Sequence, residues 1–253
     1  MDEIIKINNY NTTFVLGYWY IKENIKKNLD HYKKFIPETF NILKDQNIIF
    51  FYNENFVLEM VKECLQSNKF TPINLSIEEL PTYGISEDYL QSCINQDNEH
   101  LLTIDQGNEK GIIHYIRDCK RAGSICYKKL FTVWSSKILL VEKIINKNQF
   151  DTKFFSWADA SISILKQKVI NWNFIDYDYS EKYIYHYDGA MKYYGNKINL
   201  RAGFIFGYEK KWLDLIKLYK KQLYKLKDSN YAHDEETILN TIYKQTDIFK
   251  KIL

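Results

Sequence analysis

The stretch FFSWADASIS, residues 154–163, decides the fold class of this chain. A largely apolar run leads into the lone carboxylate of Asp159, and small residues follow it. A strand that is buried on both faces has a continuous apolar sequence, and open α/β sheets bind their ligands at the carboxyl ends of such strands. Asp159 is therefore a candidate ligand-binding residue, although an Asp or Ser after a strand is equally typical of the N-cap of the next helix.

Further apolar runs alternate with amphipathic stripes along the chain. Runs with the β-branched and aromatic bias of strands lie at residues 12–20, 47–52, 72–77, 183–188 and 202–206. Apolar residues recur every three or four positions, as on one face of a helix, at residues 21–36, 56–65, 130–145, 212–226 and 238–243. Pro37 is expected to end or kink the first of these helices. Strands that alternate with helices predict an α/β chain with a mainly parallel sheet, in one domain over residues 1–253.

The pattern dissolves between residues 81 and 126. This segment contains Gly84, Gly107, Gly111 and Gly123, several charges and only weak periodicity. A loop region of this length in a compact domain is usually functional, inserted or mobile. We predict a variable insert or lid at 81–126.

Composition excludes several classes of protein. The chain has 35 Lys and Arg against 32 Asp and Glu, and a net charge of +3 is too small for a dedicated nucleic-acid surface. The four cysteines are scattered without a CxxC pair, which argues against a structural zinc site and favours a reducing compartment. No apolar run reaches the roughly 18 residues of a membrane span, and residues 1–11 lack the features of a signal peptide. We expect a cytoplasmic protein, with peripheral membrane attachment and homo-oligomer formation left open.

Two local patterns could carry chemistry beside Asp159. Ser161 lies two residues after Asp159, so the two oxygens together could bind a hard divalent cation. His233, Asp234 and Glu235 open a helical stripe and offer a metal ligand, a general base and a nucleophile. Asp234 is also a favourable helix N-cap, and acidic residues suit the first turn of a helix.

Basic and small residues complete the set of candidates. Arg201, Ala202 and Gly203 begin an apolar strand, where small residues would let a ligand approach the backbone. Lys137, in the sequence WSSK, is a suitable point charge for a phosphate, and the alternative is a solvated helix lysine. The sequence contains no GxGxxG, no GxxxxGK[ST] and no GxSxG, so a dinucleotide site, a P-loop and a serine hydrolase elbow are not supported.

The order of these segments resembles a known family. The segments are TTFVLGYWY at 12–20, NIIFFYNEN at 47–55, WSSK at 134–137, FFSWADAS at 154–161, AGFIFG at 202–207 and HDEE at 233–236. Together they resemble the HtrL/YibB-like glycosyltransferases, over nearly the whole chain except 81–126. The segment from His233 to Glu235 is also similar to the HDE-containing segment of the histo-blood-group type glycosyltransferases.

The resemblance implies a GT-A fold, which is a Rossmann-like, mixed and mostly parallel sheet flanked by helices. It implies a nucleotide-sugar donor, with a UDP-sugar favoured, and a glycan or other hydroxyl acceptor. Such enzymes usually hold Mn²⁺ or Mg²⁺ with an Asp-x-Asp motif, which corresponds here to Asp159-Ala160-Ser161 and lacks the second carboxylate. The resemblance therefore implies Asp159 as a metal ligand, with Ser161 coordinating beside it or His233 or Asp234 supplying a further ligand, or else basic residues in place of the metal.

Residue roles follow from the same resemblance. Asp234 or Glu235 would act as the base on the acceptor hydroxyl in an inverting enzyme, or stabilise the oxocarbenium-like centre in a retaining one. The donor nucleotide would contact four residues: Tyr18, Trp19, Lys137 and Asp159. The sugar would contact four others: Arg201, Ala202, Gly203 and His233.

Other classes of protein remain alternatives. A non-catalytic nucleotide- or sugar-binding protein with the same fold would explain the missing second carboxylate. A metal-dependent phosphohydrolase would use Asp159, His233 and Asp234, although a chain with five His residues offers few further ligands. The lysines and aromatic residues at 182–197 could stack nucleic-acid bases, but the low net charge favours a tyrosine-rich strand and loop.

Overall fold

A computed structural model describes residues 11–26, 29–62, 67–95, 109–168, 174–175, 177–229 and 231–252. Seven strands of these residues form one sheet: β1 (Thr12–Tyr18), β2 (Asn47–Tyr52), β3 (Phe70–Asn74), β4 (Phe154–Asp159), β5 (Ile184–Tyr187), β8 (Arg201–Tyr208) and β9 (Phe249–Lys251). Two short strands, β6 (Lys192–Tyr193) and β7 (Asn196–Lys197), form a separate hairpin.

The strand order in the sheet is β3-β2-β1-β4-β8-β5-β9. Strand β8 is antiparallel to both of its neighbours, and the other pairings are parallel. The predicted architecture, a mixed and mostly parallel sheet flanked by helices in an α/β fold, is confirmed.

Helices cover both faces of this sheet. The α-helices are α1 (Leu29–Leu43), α2 (Phe56–Glu59), α3 (Ser86–Ile94), α4 (Lys110–Ile113), α5 (Ser124–Lys147), α6 (Glu209–Lys225) and α7 (Glu235–Tyr243). A π-helical segment follows α4 at His114–Arg121, and 3₁₀ turns lie at Ile77–Glu79, Tyr83–Ile85, Ile162–Gln167 and Leu226–Asp228. Helices α3, α5, α6 and α7 pack on one face with Val15 and Trp157, whereas α1 packs on the other with Phe14 and Leu16. No helix of the described residues has the length and apolarity that a membrane crossing requires.

The first helix differs from its prediction. It begins at Leu29 instead of residue 21 and continues through Pro37 to Leu43, so the predicted end at Pro37 is wrong. Pro37 lies on the solvent-facing side, where water can bond the backbone carbonyl that its missing N–H leaves unpaired. Phe40 and Leu43, beyond the proline, are buried against the sheet. Their burial continues the apolar stripe and favours the longer helix.

The segment at 81–126 also differs from the loop region that weak periodicity suggested. Its described parts contain α3, α4, the π-helical segment and the start of α5, whereas residues 96–108 lie outside the described residues. Tyr89 of α3 packs against Phe131 of α5 with ring centroids 4.2 Å apart, and its hydroxyl donates to the Leu223 carbonyl. Helix α3 and the π-helical segment are therefore stabilised by packing on α5. The lid or insert at 81–126 stays a prediction.

Candidate functional site

The candidate site lies where the strand order reverses. Strands β2 and β4 flank β1 on opposite sides, and Gly17 of β1 is in register with Asp159 of β4 at their carboxyl ends. Open α/β sheets bind ligands in the crevice at such a switch point. Asp159 is the last residue of β4, and Ser161 holds the N-cap position of the following 3₁₀ turn. The N-cap alternative therefore holds for the position of Ser161, which makes no side-chain capping hydrogen bond, and not for Asp159.

Two adjoining cavities open at this edge of the sheet. The larger has a volume of about 260 Å³ and the smaller about 100 Å³, and both are lined by Trp134, Lys137, Asp159 and Ser161. Predicted residues that line the larger cavity are Lys137, Asp159, Ser161, Arg201, Gly203, Asp234 and Glu235. Tyr18 and Trp19 line the smaller cavity, whereas Ala202 and His233 line neither.

Lys137 lies between two carboxylates. Its Nζ is 2.7 Å from Asp159 Oδ1 and 2.6 Å from Glu235 Oε1, and the lysine is buried in the middle of α5. The indole Nε1 of Trp157 donates to the same Asp159 oxygen at 3.0 Å. Burial disfavours the ammonium form, but the two carboxylates together raise the pKa of Lys137 above its ordinary value. Lys137 is thus a buried cation, and the solvated alternative is wrong.

A second lysine repeats this arrangement. Lys110 of α4 forms ion pairs with Asp234 and with Glu236, whose Oε2 is 2.6 Å from the ammonium. Burial opposes the charge of Lys110, but the nearby carboxylates raise its pKa. Asp234 is also the N-cap of α7, because its Oδ1 accepts from the Thr237 backbone N–H at 3.0 Å. The N-cap interpretation of Asp234 is therefore correct, and the same side chain belongs to the charged network.

The π-helical segment extends the network along the wall of the larger cavity, which His114 and Arg117 line. The ring of His114 lies 3.1 Å from Asp234 Oδ2 through Nε2 and 2.8 Å from Asp118 Oδ2 through Nδ1. Arg117 donates two hydrogen bonds to the carboxylate of Asp118. Although burial opposes ionisation of Asp118, His114 and Arg117 hold its pKa below the ordinary value. The contacts from Arg117 through Asp118 to His114 thus help to fix the position of Asp234.

The two carboxylates that open α7 differ in their electrostatics. Burial opposes the ionisation of Asp234, but Lys110 and His114 hold its pKa far below the ordinary value. For Glu235, burial raises the pKa by more than Lys137 lowers it. Neighbouring carboxylates whose pKa values are pushed apart are typical of acid–base sites, where one stays ionised and the other exchanges a proton.

Small residues bring β8 close to the acidic groups. The backbone N–H of Ala202 donates to Glu236 Oε1 at 3.1 Å. A Cβ at Gly203 would lie only 3.2 Å from Asp159 Oδ2, so glycine lets the strand approach this carboxylate. Arg201 donates from Nε to the Asp188 carbonyl at 2.7 Å and also lines the larger cavity.

His233 and Trp19 each hydrogen-bond to other parts of the chain, and Tyr18 is the last residue of β1. The His233 ring contacts the hydroxyl oxygens of Tyr193, Ser229 and Thr237, and its burial lowers its pKa to about 4. Trp19 donates from Nε1 to the Leu75 carbonyl at 2.9 Å and lines the smaller cavity with its neighbour Tyr18.

The predicted metal ligands are not brought together. Asp159 and Ser161 line both cavities, but His233 lines neither, and one oxygen of Asp159 already holds Lys137 and Trp157. Across the described part of the chain, no group of three His, Cys, Asp or Glu side chains could hold a metal ion. A divalent cation beside Asp159 would also be repelled by the Lys137 ammonium. This donor set does not fit a metal ion.

Sequence reasoning missed several residues of the site. The segment with weak periodicity contains Lys110, His114 and Arg117. Nothing in the sequence HDEE distinguishes Glu236 from the acidic residues before it. Their partners are distant in sequence, since Lys110 and Asp234 are 124 residues apart. The one available signal was the concentration of basic residues and His at 110–121.

Comparisons with known proteins give limited information. No protein-family model and no curated protein sequence matches the chain. Among solved structures, the glycosyltransferase GlyE of Streptococcus pneumoniae TIGR4 aligns with 96% of this chain at 11% sequence identity and a TM-score of 0.43. The chain spans 45% of the length of GlyE. A likeness this distant decides neither family nor activity, and nothing in it links the chain to the HtrL/YibB-like family.

Proposed function

We propose that this chain is a glycosyltransferase that moves a sugar from a nucleotide-diphosphate-sugar donor to a hydroxyl acceptor. The observation that carries the proposal is the crevice at the carboxyl ends of β1 and β4, where buried lysines and carboxylates alternate. The sequence motifs that resemble those of the HtrL/YibB-like glycosyltransferases agree with this proposal. The same resemblance favours a UDP-sugar as the donor.

The two cavities suit the two ends of such a donor. The smaller is lined by aromatic side chains, among them Tyr18, Trp19 and Tyr32, and would take the nucleoside. The larger is lined, among the described residues, by six Lys or Arg side chains and four carboxylates. Two excess positive charges suit a diphosphate, and the carboxylates suit sugar hydroxyls. Asp159, which lines both cavities, would sit near the junction of nucleoside and diphosphate.

The proposed chemistry uses Glu235 as the base. In an inverting reaction, the acceptor oxygen bonds to the anomeric carbon, and the bond from that carbon to the diphosphate oxygen breaks. The hydroxyl proton passes to Glu235, and the electron pair of the broken bond leaves with the diphosphate. A raised pKa makes Glu235 the better proton acceptor, while ionised Asp234 would orient the sugar. The cations that line the cavity would stabilise the charge that develops on the diphosphate.

A thermal-shift screen with the UDP, GDP, CMP and dTDP series tests the donor site. A ligand that binds only the native state raises the melting temperature of the protein. If the chain binds a nucleotide-sugar donor, one nucleotide series is expected to raise the melting temperature of the wild type. Asp159→Ala should abolish that shift. Asp214→Ala, which alters an exposed carboxylate on α6, should retain it as the matched control.

Turnover separates a transferase from a binding protein of the same fold. A transferase should slowly hydrolyse its own donor, and Glu235→Gln should slow this hydrolysis at least a hundredfold without weakening nucleotide binding. Binding without hydrolysis in the wild type would instead indicate a non-catalytic nucleotide-binding protein. Absence of any nucleotide shift would refute the proposed function.

A further inference from the structure

We propose that Lys137 is the resident cation of the donor site: its ammonium bridges Asp159 and Glu235, where a divalent metal ion would otherwise bind. The nucleotide diphosphate would then bind without a metal ion. This inference rests on the proposed function, because it concerns the same crevice. Of the arrangements that the sequence resemblance implies, it selects the one in which a basic residue takes the place of the metal.

Two carboxylates and an aromatic ring surround the ammonium of Lys137. Nζ of Lys137 lies 2.7 Å from an oxygen of Asp159 and 2.6 Å from an oxygen of Glu235. The face of the Trp157 ring lies 5.8 Å from the same nitrogen. Two carboxylates and an aromatic face form a complete environment for an ammonium ion. A hard divalent cation needs oxygen ligands at about 2.0–2.6 Å and would have to displace this group.

Lys137 is held in place by its helix, α5. It lies in the middle of the 24-residue helix α5, and its neighbours Ser135 and Ser136 are both hydrogen-bonded to the Thr82 side chain. The lysine is almost completely buried, so its stem has little freedom to swing away. The position of the ammonium is thus determined by the helix and not by a ligand.

The site contains a second lysine that pairs with two carboxylates. Lys110 bridges Asp234 and Glu236 in the way that Lys137 bridges Asp159 and Glu235. All four carboxylates that line the larger cavity among the described residues are therefore joined to a lysine. A site that used these carboxylates for a metal ion would leave them open to it. Here each pair already has its counter-charge.

The decisive experiment measures Mn²⁺ binding by electron paramagnetic resonance of free Mn²⁺, without nucleotide. The wild type should show no Mn²⁺ site that depends on Asp159. Lys137→Ala should expose the two carboxylates and bind Mn²⁺ at least tenfold more tightly than the wild type. Adding Asp159→Asn to that variant should abolish the new site. Lys128→Ala, on the same helix but paired at the surface with Glu87, is the matched control and should behave as the wild type.

A second measurement follows the nucleotide identified in the thermal-shift screen. Its dissociation constant should change less than twofold when EDTA replaces Mn²⁺, and should rise at least tenfold in Lys137→Ala. Lys137→Arg, which keeps the charge, should recover part of the affinity. Circular dichroism and melting curves establish that each variant is folded.

Two results would overturn the inference. One is Mn²⁺ binding by the wild type that Asp159→Asn abolishes. This comparison does not depend on the folding of any lysine variant. The other is nucleotide binding that EDTA abolishes in the wild type. If no nucleotide binds with or without Mn²⁺, the proposed function fails, while the Mn²⁺ titration still decides the role of Lys137.

Discussion

Replacing Lys110 by Met tests the charged network most directly. The substitution keeps the length of the side chain but removes the ammonium that neutralises Asp234 and Glu236. The side chains of Lys110, Asp234 and Glu236 are only 15%, 3% and 16% exposed, so water cannot replace the lost partner. Removing one member of a buried ion pair typically costs about 3–5 kcal/mol, because the remaining charge stays buried without compensation.

This loss converts into a measurable change in melting temperature. With an unfolding entropy of about 2 cal/mol/K per residue, a chain of this length has an entropy of unfolding near 0.5 kcal/mol/K. We therefore expect the melting temperature of Lys110→Met to fall by about 6–10 °C at pH 7. Differential scanning calorimetry measures it.

The pH dependence supplies an independent check. The pKa of Asp234 in the folded state is lowered, so its stabilising contribution is present above its unfolded pKa and is lost as the pH falls. The difference between wild type and Lys110→Met should therefore be largest above about pH 5 and narrow as the pH falls below about 4, the unfolded pKa of an Asp. Lys197→Met, which breaks an exposed pair with Asp188, is the control and should change stability by less than about 1 kcal/mol. Equal losses in the two variants would refute the reasoning.

Three further predictions concern single positions. Gly17→Ala would place a Cβ 2.3 Å from the Trp19 ring, so urea denaturation should give an unfolding free energy lower by about 1–3 kcal/mol, and an unchanged midpoint would contradict this packing. Gly203→Ala would place a Cβ 3.2 Å from Asp159 Oδ2 and should weaken nucleotide binding at least fivefold in a thermal-shift titration; undiminished binding would show that this carboxylate does not contact the donor. Burial lowers the pKa of His186 to about 4, so the unfolded state takes up the proton first and stability should decrease from about pH 6.5 to pH 4. His186→Phe should flatten this decrease in urea denaturation at pH 7 and pH 5, and a slope as steep as that of the wild type would assign the effect elsewhere.

The strands were predictable because a strand buried on both faces leaves a continuous apolar run. Asn47–Tyr52 was predicted with its observed bounds, and the end of β4 at Asp159 was also anticipated. The antiparallel direction of β8 was not predictable, because it depends on which strands flank it and not on its own residues. Helix α3 and the π-helical segment at 81–126 were missed for a related reason, since their stability comes from packing on α5.

The candidate site was predictable only in part. Asp159 and the residues that open α7 stood out because they interrupt or begin apolar patterns. Lys137 was named as a phosphate ligand, but local sequence could not show its burial, because its partner Glu235 is 98 residues further along. Lys110 and His114 lacked any periodic context. Sequence patterns thus locate groups at element ends, whereas ion pairs between distant segments depend on the tertiary fold.

The position of β4 beside β1 has a consequence for the order of folding. Thr13 and Thr152, which hydrogen-bond at the start of this pairing, are 139 residues apart, whereas β1 and β2 pair through Thr13 and Asn47. Closing the longer loop costs about 1 kcal/mol more by chain entropy, and long-range pairings slow folding. We expect β1, β2 and β3 to form a nucleus with α1 before β4 inserts. The crevice around Asp159 would then assemble last, and a chain with only β1, β2 and β3 formed would have three of the seven strands but no donor site.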